Sequence, residues 1–147
     1  MTYHEKRSVV HILSTIALTA TYFPYVMNNY MTPGMNTEEI LIFWSKAILV
    51  LIPVTIVVKI VIMILFSIFN AVATREELPK TDERDRLIEL KASRNSQIAF
   101  GLGFVGALAA IALGNSVTIM FVFMIGAGVF SEVIDHLSQI YYYRSGV

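Results

Sequence analysis

Glu132, Asp135 and His136 stand at positions i, i+3 and i+4 in the stretch "VFSEVIDHLSQIYYY". On a helix this spacing puts two carboxylates and an imidazole on one face. Such a set can pair with an ammonium, relay protons or hold a cation. Two other polar groups break apolar runs: His11, which heads a stripe with Ser14, Thr15, Thr19 and Tyr22, and Lys59, between Val58 and Ile60. A charge held inside a membrane helix costs ~2.5–3.5 kcal/mol on insertion scales, so these groups are expected to pair or to face a polar cavity. They are therefore grouped as one cluster of Lys59, Glu132, Asp135, His136 and His11. Three chemistries stay open for it. One is a Lys59–Glu132 ion pair that holds the helices in register; the second is a proton- or substrate-coupling site. The third is a metal site, because His4, His11 and His136 all fall near one boundary and imidazole with carboxylate suits zinc or iron. An isolated E-x-x-D-H is a weak ligand motif, and the metal is left unknown.

The elements that must position these residues follow from the solvent. Of 147 residues, 56% are hydrophobic and 15% charged, against about 45–50% and about 25% in an average soluble domain. The chain reads as a lipid-embedded protein, with the bilayer as its first partner. Eleven basic and eleven acidic residues cancel, which argues against nucleic-acid binding by bulk charge. The absence of cysteine excludes disulfides, thiolate ligands and a cysteine nucleophile. No serine elbow, H-E-x-x-H or phosphate loop occurs, so the expectation is a non-enzyme without a cofactor.

Four apolar runs, at about 9–31, 40–73, 97–113 and 117–141, predict an all-α polytopic membrane protein, a single membrane domain over 1–147 with four transmembrane helices. The first run is too long for the ~7–15-residue core of a signal peptide and ends in aromatics, so it is read as a retained span. The second is longer than a simple span needs; Pro53 offers it a kink, and Asn36 or Thr37 ahead of Glu38 and Glu39 offers it a cap. Gly114, Asn115 and Ser116 suit a tight turn between the last two spans. Lys6, Arg7, Arg75, Lys80, Arg84, Arg86, Lys91, Arg94 and Arg144 all fall on one side of this plan, and the opposite loops carry no basic residue. Both termini are accordingly expected in the cytoplasm and the protein in the cytoplasmic (inner) membrane. Tyr22, Phe23, Tyr25, Tyr30, Phe43 and Trp44 are expected as an outer aromatic belt, with Tyr141 to Tyr143 at the inner boundary.

Small residues recur in the third span. Gly103, Gly106 or Ala107, Ala110 and Gly114 leave a smooth stripe on which another helix can pack, either the fourth span, with Gly126 and Gly128 as its flat surface, or a second copy in a homodimer. The segment 74–96 is polar. Pro79 and Thr81 precede a stretch with Asp82 and Glu83 placed to pair with Arg86, which predicts a helix that starts near Thr81 and extends the third span into the cytoplasm. Asp82, Glu83, Arg84, Asp85, Lys91 and Arg94 on that extension are the candidate docking surface for a cytosolic regulatory protein; lipid phosphates are the other destination for Lys91 and Arg94.

The run Asp82-Glu83-Arg84-Asp85, followed by Ile88, Lys91, Ala92, Asn95 and Ser96, and the tyrosine-rich end that leads into Arg144, resemble a loose group of small four-span membrane proteins of bacteria and archaea of unknown function. The resemblance covers mainly 80–100 and implies a regulatory or sensing role. Pro53, Lys59 and the acidic end of the fourth span depart from that group. The expectation is thus a regulatory, sensing or interaction component that acts through its charged helix, with a small ion- or proton-coupled transporter or a metal-binding membrane protein as the alternative.

Overall fold

The computed structural model describes residues 2–74 and 82–146. Arg75, Pro79, Lys80 and Thr81, on which part of the charge and capping expectations rested, lie outside the described residues. Four helices account for nearly all of the rest: α1 (Tyr3–Tyr30), α2 (Thr37–Thr74), α3 (Glu83–Ala112) and α4 (Val117–Ser145). All four are long and apolar enough to cross a membrane.

Each helix start is fixed by a local side chain. Thr2 and Glu5 form a reciprocal capping box, so α1 begins at Tyr3, ahead of the apolar run at Val9. Asn36 rather than Thr37 caps α2; its Oδ1 accepts from Glu39 N at 2.9 Å, and Glu39 Oε2 accepts from Asn36 N at 2.8 Å. Asp82 caps α3 through the same box with Asp85, and the expected pairing of Asp82 or Glu83 with Arg86 does not form. Each carboxylate of the box satisfies one otherwise orphaned amide: Asp82 Oδ1 accepts from Asp85 N at 2.7 Å, and Asp85 Oδ2 from Asp82 N at 2.9 Å. Ser116 caps α4, and Gly114, at φ +83, turns the chain between α3 and α4. Its role in the small-residue stripe is corrected accordingly: only a left-handed backbone closes this turn, and nothing packs where its Cβ would point.

α4 is the central element. It packs along α3, against α1, and more lightly on α2, whereas α2 and α3 make no close backbone approach among the described residues. The α3/α4 seam is set by Gly103. A Cβ there would lie 2.3 Å from Ala127 Cβ, so the helices cross at a distance only glycine permits. Ala107 and Ala110 are buried along the same seam, and Gly106 meets Phe123. The partner surface on α4 is Ala127; Gly126 and Gly128, expected as its flat face, have open space where a Cβ would sit. The stripe is therefore used inside the chain.

The aromatic residues near the α1/α2 and α3/α4 turns also differ from expectation. Trp44 is 1% exposed and packs against Phe23, Phe43 and Phe121, the last stacked at 5.8 Å. With Val26 and Ala47 these rings form the buried core. Tyr25 and Tyr30 remain outside, about 60% exposed, as a boundary belt requires. Residue type alone does not distinguish a ring that faces lipid headgroups from one that faces the bundle. Over much of α2 the side chains point away from the bundle, as at Leu49, Leu65 and Phe69, an apolar exterior matched to hydrocarbon.

Candidate functional site: a polar cavity around Lys59 and Glu132

The end of the bundle opposite the aromatic core is held by polar contacts between distant parts of the chain. Glu5 Oε1 accepts from Arg144 Nε at 2.8 Å. Tyr3 lies on Phe66, its hydroxyl 3.4 Å from that of Ser67. Asp85 is buried beneath this end; its Oδ1 accepts from the Tyr143 hydroxyl at 2.9 Å and lies 3.9 Å from His4 Nε2, while His4 stacks on Tyr143. Asn95 Nδ2 donates to Ser138 and Tyr142, and Lys91 sits over the Tyr142 ring. The start of α1, the end of α2, the start of α3 and the end of α4 thus share one end of the molecule. Of the candidate docking residues, Asp82 and Asp85 are spent on the cap and this junction; Glu83, Arg84, Lys91 and Arg94 are exposed.

Inward of that junction, all five residues of the intramembrane cluster line one open cavity of about 620 Å³. α4 supplies Glu132, Asp135 and His136 from one face, α1 presents His11 and α2 presents Lys59. The Lys59 ammonium donates to Glu132 Oε1. His136 Nε2 lies 4.0 Å from the same oxygen. The His11 and His136 rings stack at 4.5 Å, 13° from parallel, and His136 Nδ1 is buried without a hydrogen-bond partner. Asp135 accepts from Gln139 Nε2 at 2.8 Å and forms no ion pair among the described residues. The stripe on α1 faces inward as expected, with Ser14 and Thr15 buried and both hydroxyls returned to the His11 carbonyl.

Sequence reasoning missed six lining residues: Glu89, Ser93 and Ser96 of α3, and Gly128, Ser131 and Gln139 of α4. The signal was present. Glu89, Ser93 and Ser96 follow one another at i, i+4 and i+7, and Gln139 is four residues beyond Asp135, the spacings that share a helix face.

A second, mostly apolar cavity of about 470 Å³ adjoins the first and shares Lys59, Gly128 and Glu132 with it. Its other walls include Thr15, Thr19, Leu51, Phe100, Phe104 and Met124, and it reaches Phe23 of the aromatic core. The Lys59–Glu132 pair therefore stands at the boundary between a polar chamber and an apolar one. Fold and cavity define the class as a four-helix bundle of the polytopic membrane type, with a charged site between its helices. No family model matches the chain, and no curated protein or solved structure is similar to it.

Proposed function

We propose that this chain is a small, non-enzymatic integral membrane protein that handles an ion or a proton at the Lys59–Glu132 site, with both ends of the sequence and the start of α3 in the cytoplasm. The observation that carries this reading is the position of the pair, where the polar cavity gives way to the apolar one. A pair that served registry alone has no need of an open chamber with two more carboxylates, Glu89 and Asp135, in its lining. Intramembrane carboxylates with histidine at a cavity wall are the groups from which ion and proton pathways are built. Orientation follows from lysine and arginine: Lys6, Arg7, Arg84, Arg86, Lys91, Arg94 and Arg144 belong to the end at which the polar cavity opens, and short basic segments stay on the cytoplasmic side.

The test is ion and proton movement in proteoliposomes made with the full-length protein. Flux above that of protein-free vesicles is expected, abolished by Glu132→Gln and retained when Glu83 and Arg86 are reversed in charge. Wild-type vesicles no leakier than empty ones would end this reading. The absence of native cysteine makes orientation simple to check. Met35→Cys should react with an impermeant maleimide from outside intact cells, and Lys6→Cys only after lysis.

A second reading, a regulatory or interaction component that docks a cytosolic protein through the charged start of α3, is favoured by the exposure of Glu83, Arg86 and Arg94. It predicts the reverse pattern: loss of function on charge reversal there and tolerance of Glu132→Gln.

A further inference from the structure

We propose that His11, His136 and Glu132 form a binding site for a divalent transition-metal ion of the zinc class, with Lys59 as the built-in cation that occupies Glu132 until the metal displaces it. The inference rests on the reading of this cavity as an ion-handling site and names the ion.

Three features lead to it. The first is geometric: one ligand atom from each of the three residues lies within 4.8 Å of the other two. A tetrahedral zinc centre holds its nitrogen and oxygen ligands at ~2.0–2.2 Å, and hence about 3.3 Å apart. The remaining contraction is of the size that rotation about side-chain bonds supplies. His11 and His136, 125 positions apart in the sequence, already bring their rings to 4.5 Å; because an imidazole ligates in its own plane, one ring must turn out of the stack for both to face the ion.

The second feature is an unmet need. His136 Nδ1 is buried with no hydrogen-bond partner and is the ring nitrogen left for an ion; the other, Nε2, lies 4.0 Å from Glu132 Oε1. A buried polar atom without a partner calls for an explanation, and beside a carboxylate and a second imidazole a bound ion supplies one. The third feature is charge. The cavity lining carries three carboxylates, Glu89, Glu132 and Asp135, against one ammonium, Lys59. With neutral histidines its formal charge is −2, matched by a divalent cation. Imidazole with carboxylate suits zinc, iron or manganese, and the chain has no thiolate to favour softer ions.

Lys59 gives the site its exchange chemistry. Lys59 holds Glu132 Oε1, the same oxygen that lies nearest His136 Nε2, so an ion that takes this oxygen displaces Lys59 from it. Asp135, one turn along the same face and free of any ion pair among the described residues, lines the same cavity as the alternative carboxylate for it. Three protein ligands leave a coordination position open toward the cavity, the arrangement of exchangeable rather than closed structural sites.

The test is titration of the full-length protein in lipid nanodiscs with Co²⁺, followed by its visible d–d absorption and by competition with Zn²⁺. One tetrahedral, sulfur-free Co²⁺ per chain is expected, displaced by Zn²⁺. His11→Ala and His136→Ala should each weaken binding at least about tenfold. Lys59→Met should tighten it about tenfold, since about 1.4 kcal/mol of competition for Glu132 would be lost. The last variant guards against misfolding, because a gain of affinity cannot come from damage. No stoichiometric Co²⁺ band in the wild type, or a band unmoved by all three substitutions, would overturn the proposal. Metal binding without flux would keep this site and remove transport; proton flux without metal binding would do the opposite.

Discussion

The two ends of this bundle are closed by different physics. At one end Trp44, Phe23, Phe43 and Phe121 interlock with almost no exposed surface. At the other, Glu5–Arg144, Asp85–Tyr143 and Asn95–Tyr142 join the chain through hydrogen bonds and charge, and the polar cavity lies just behind them. Interlocked rings have little room to rearrange, because such interiors are close-packed with few voids. Ion pairs and hydroxyls can exchange partners at low cost. The aromatic end thus has few other arrangements open to it, and the polar end, beside an open cavity, has partners it can exchange.

That contrast can be broken from either side. The largest effect is expected for Trp44→Ala. Lipid tails are as apolar as the side chain, so the loss is in packing and cavity rather than in water exclusion, about 3 kcal/mol. It should appear as earlier unfolding in a detergent-denaturation titration, with Co²⁺ binding at the far cavity unchanged. Gly103→Ala comes next, at about 2 kcal/mol, because the added methyl meets Ala127 well inside van der Waals contact and the α3/α4 seam must open; cross-linking yield between cysteines placed on α3 and α4 would report it.

Lys59→Met strands the Glu132 carboxylate and should cost about 1–2 kcal/mol, less than in a dry interior because the cavity admits solvent. Adding Glu132→Leu should restore most of that loss, and the same denaturation titration measures both. The smallest effect is expected for Tyr143→Phe, about 1 kcal/mol for one hydrogen bond to Asp85. It should be read as faster amide exchange at the start of α3 with no change at Trp44. If Trp44→Ala loosened the polar end as much as its own, the two-region picture would fail.

Much of this was legible in the residues. The four spans follow from runs of apolar side chains, and the Lys59–Glu132 pairing follows from the rarity of charges at that depth. The shared placement of Glu132, Asp135 and His136 is helical arithmetic. What escaped has a common cause. Hydropathy records what a residue is, not which way it points, so Trp44 and Phe23 were expected at the rim and instead lie in the core. Asp85 looked like one charge among several in an exposed run, yet a capping box and a tyrosine 58 positions away hold it inside. Contacts of that span leave no periodic trace. The early start of α1 did leave one, the Thr2–Glu5 box, but it lies ahead of the apolar run that marks the span.

α2 carries a further consequence. Its 38 residues extend about 57 Å at 1.5 Å per residue, nearly twice a ~30 Å hydrocarbon core. It touches the bundle lightly and shows most of its surface to lipid. A span so much longer than the hydrocarbon must tilt, bend or project beyond it, and Pro53, six residues before Lys59, is where its ladder of backbone bonds is interrupted. Lys59 thus lies beyond that point, on the half of α2 that runs toward the polar end, and its contact with Glu132 is one of the ties that hold this half to the bundle.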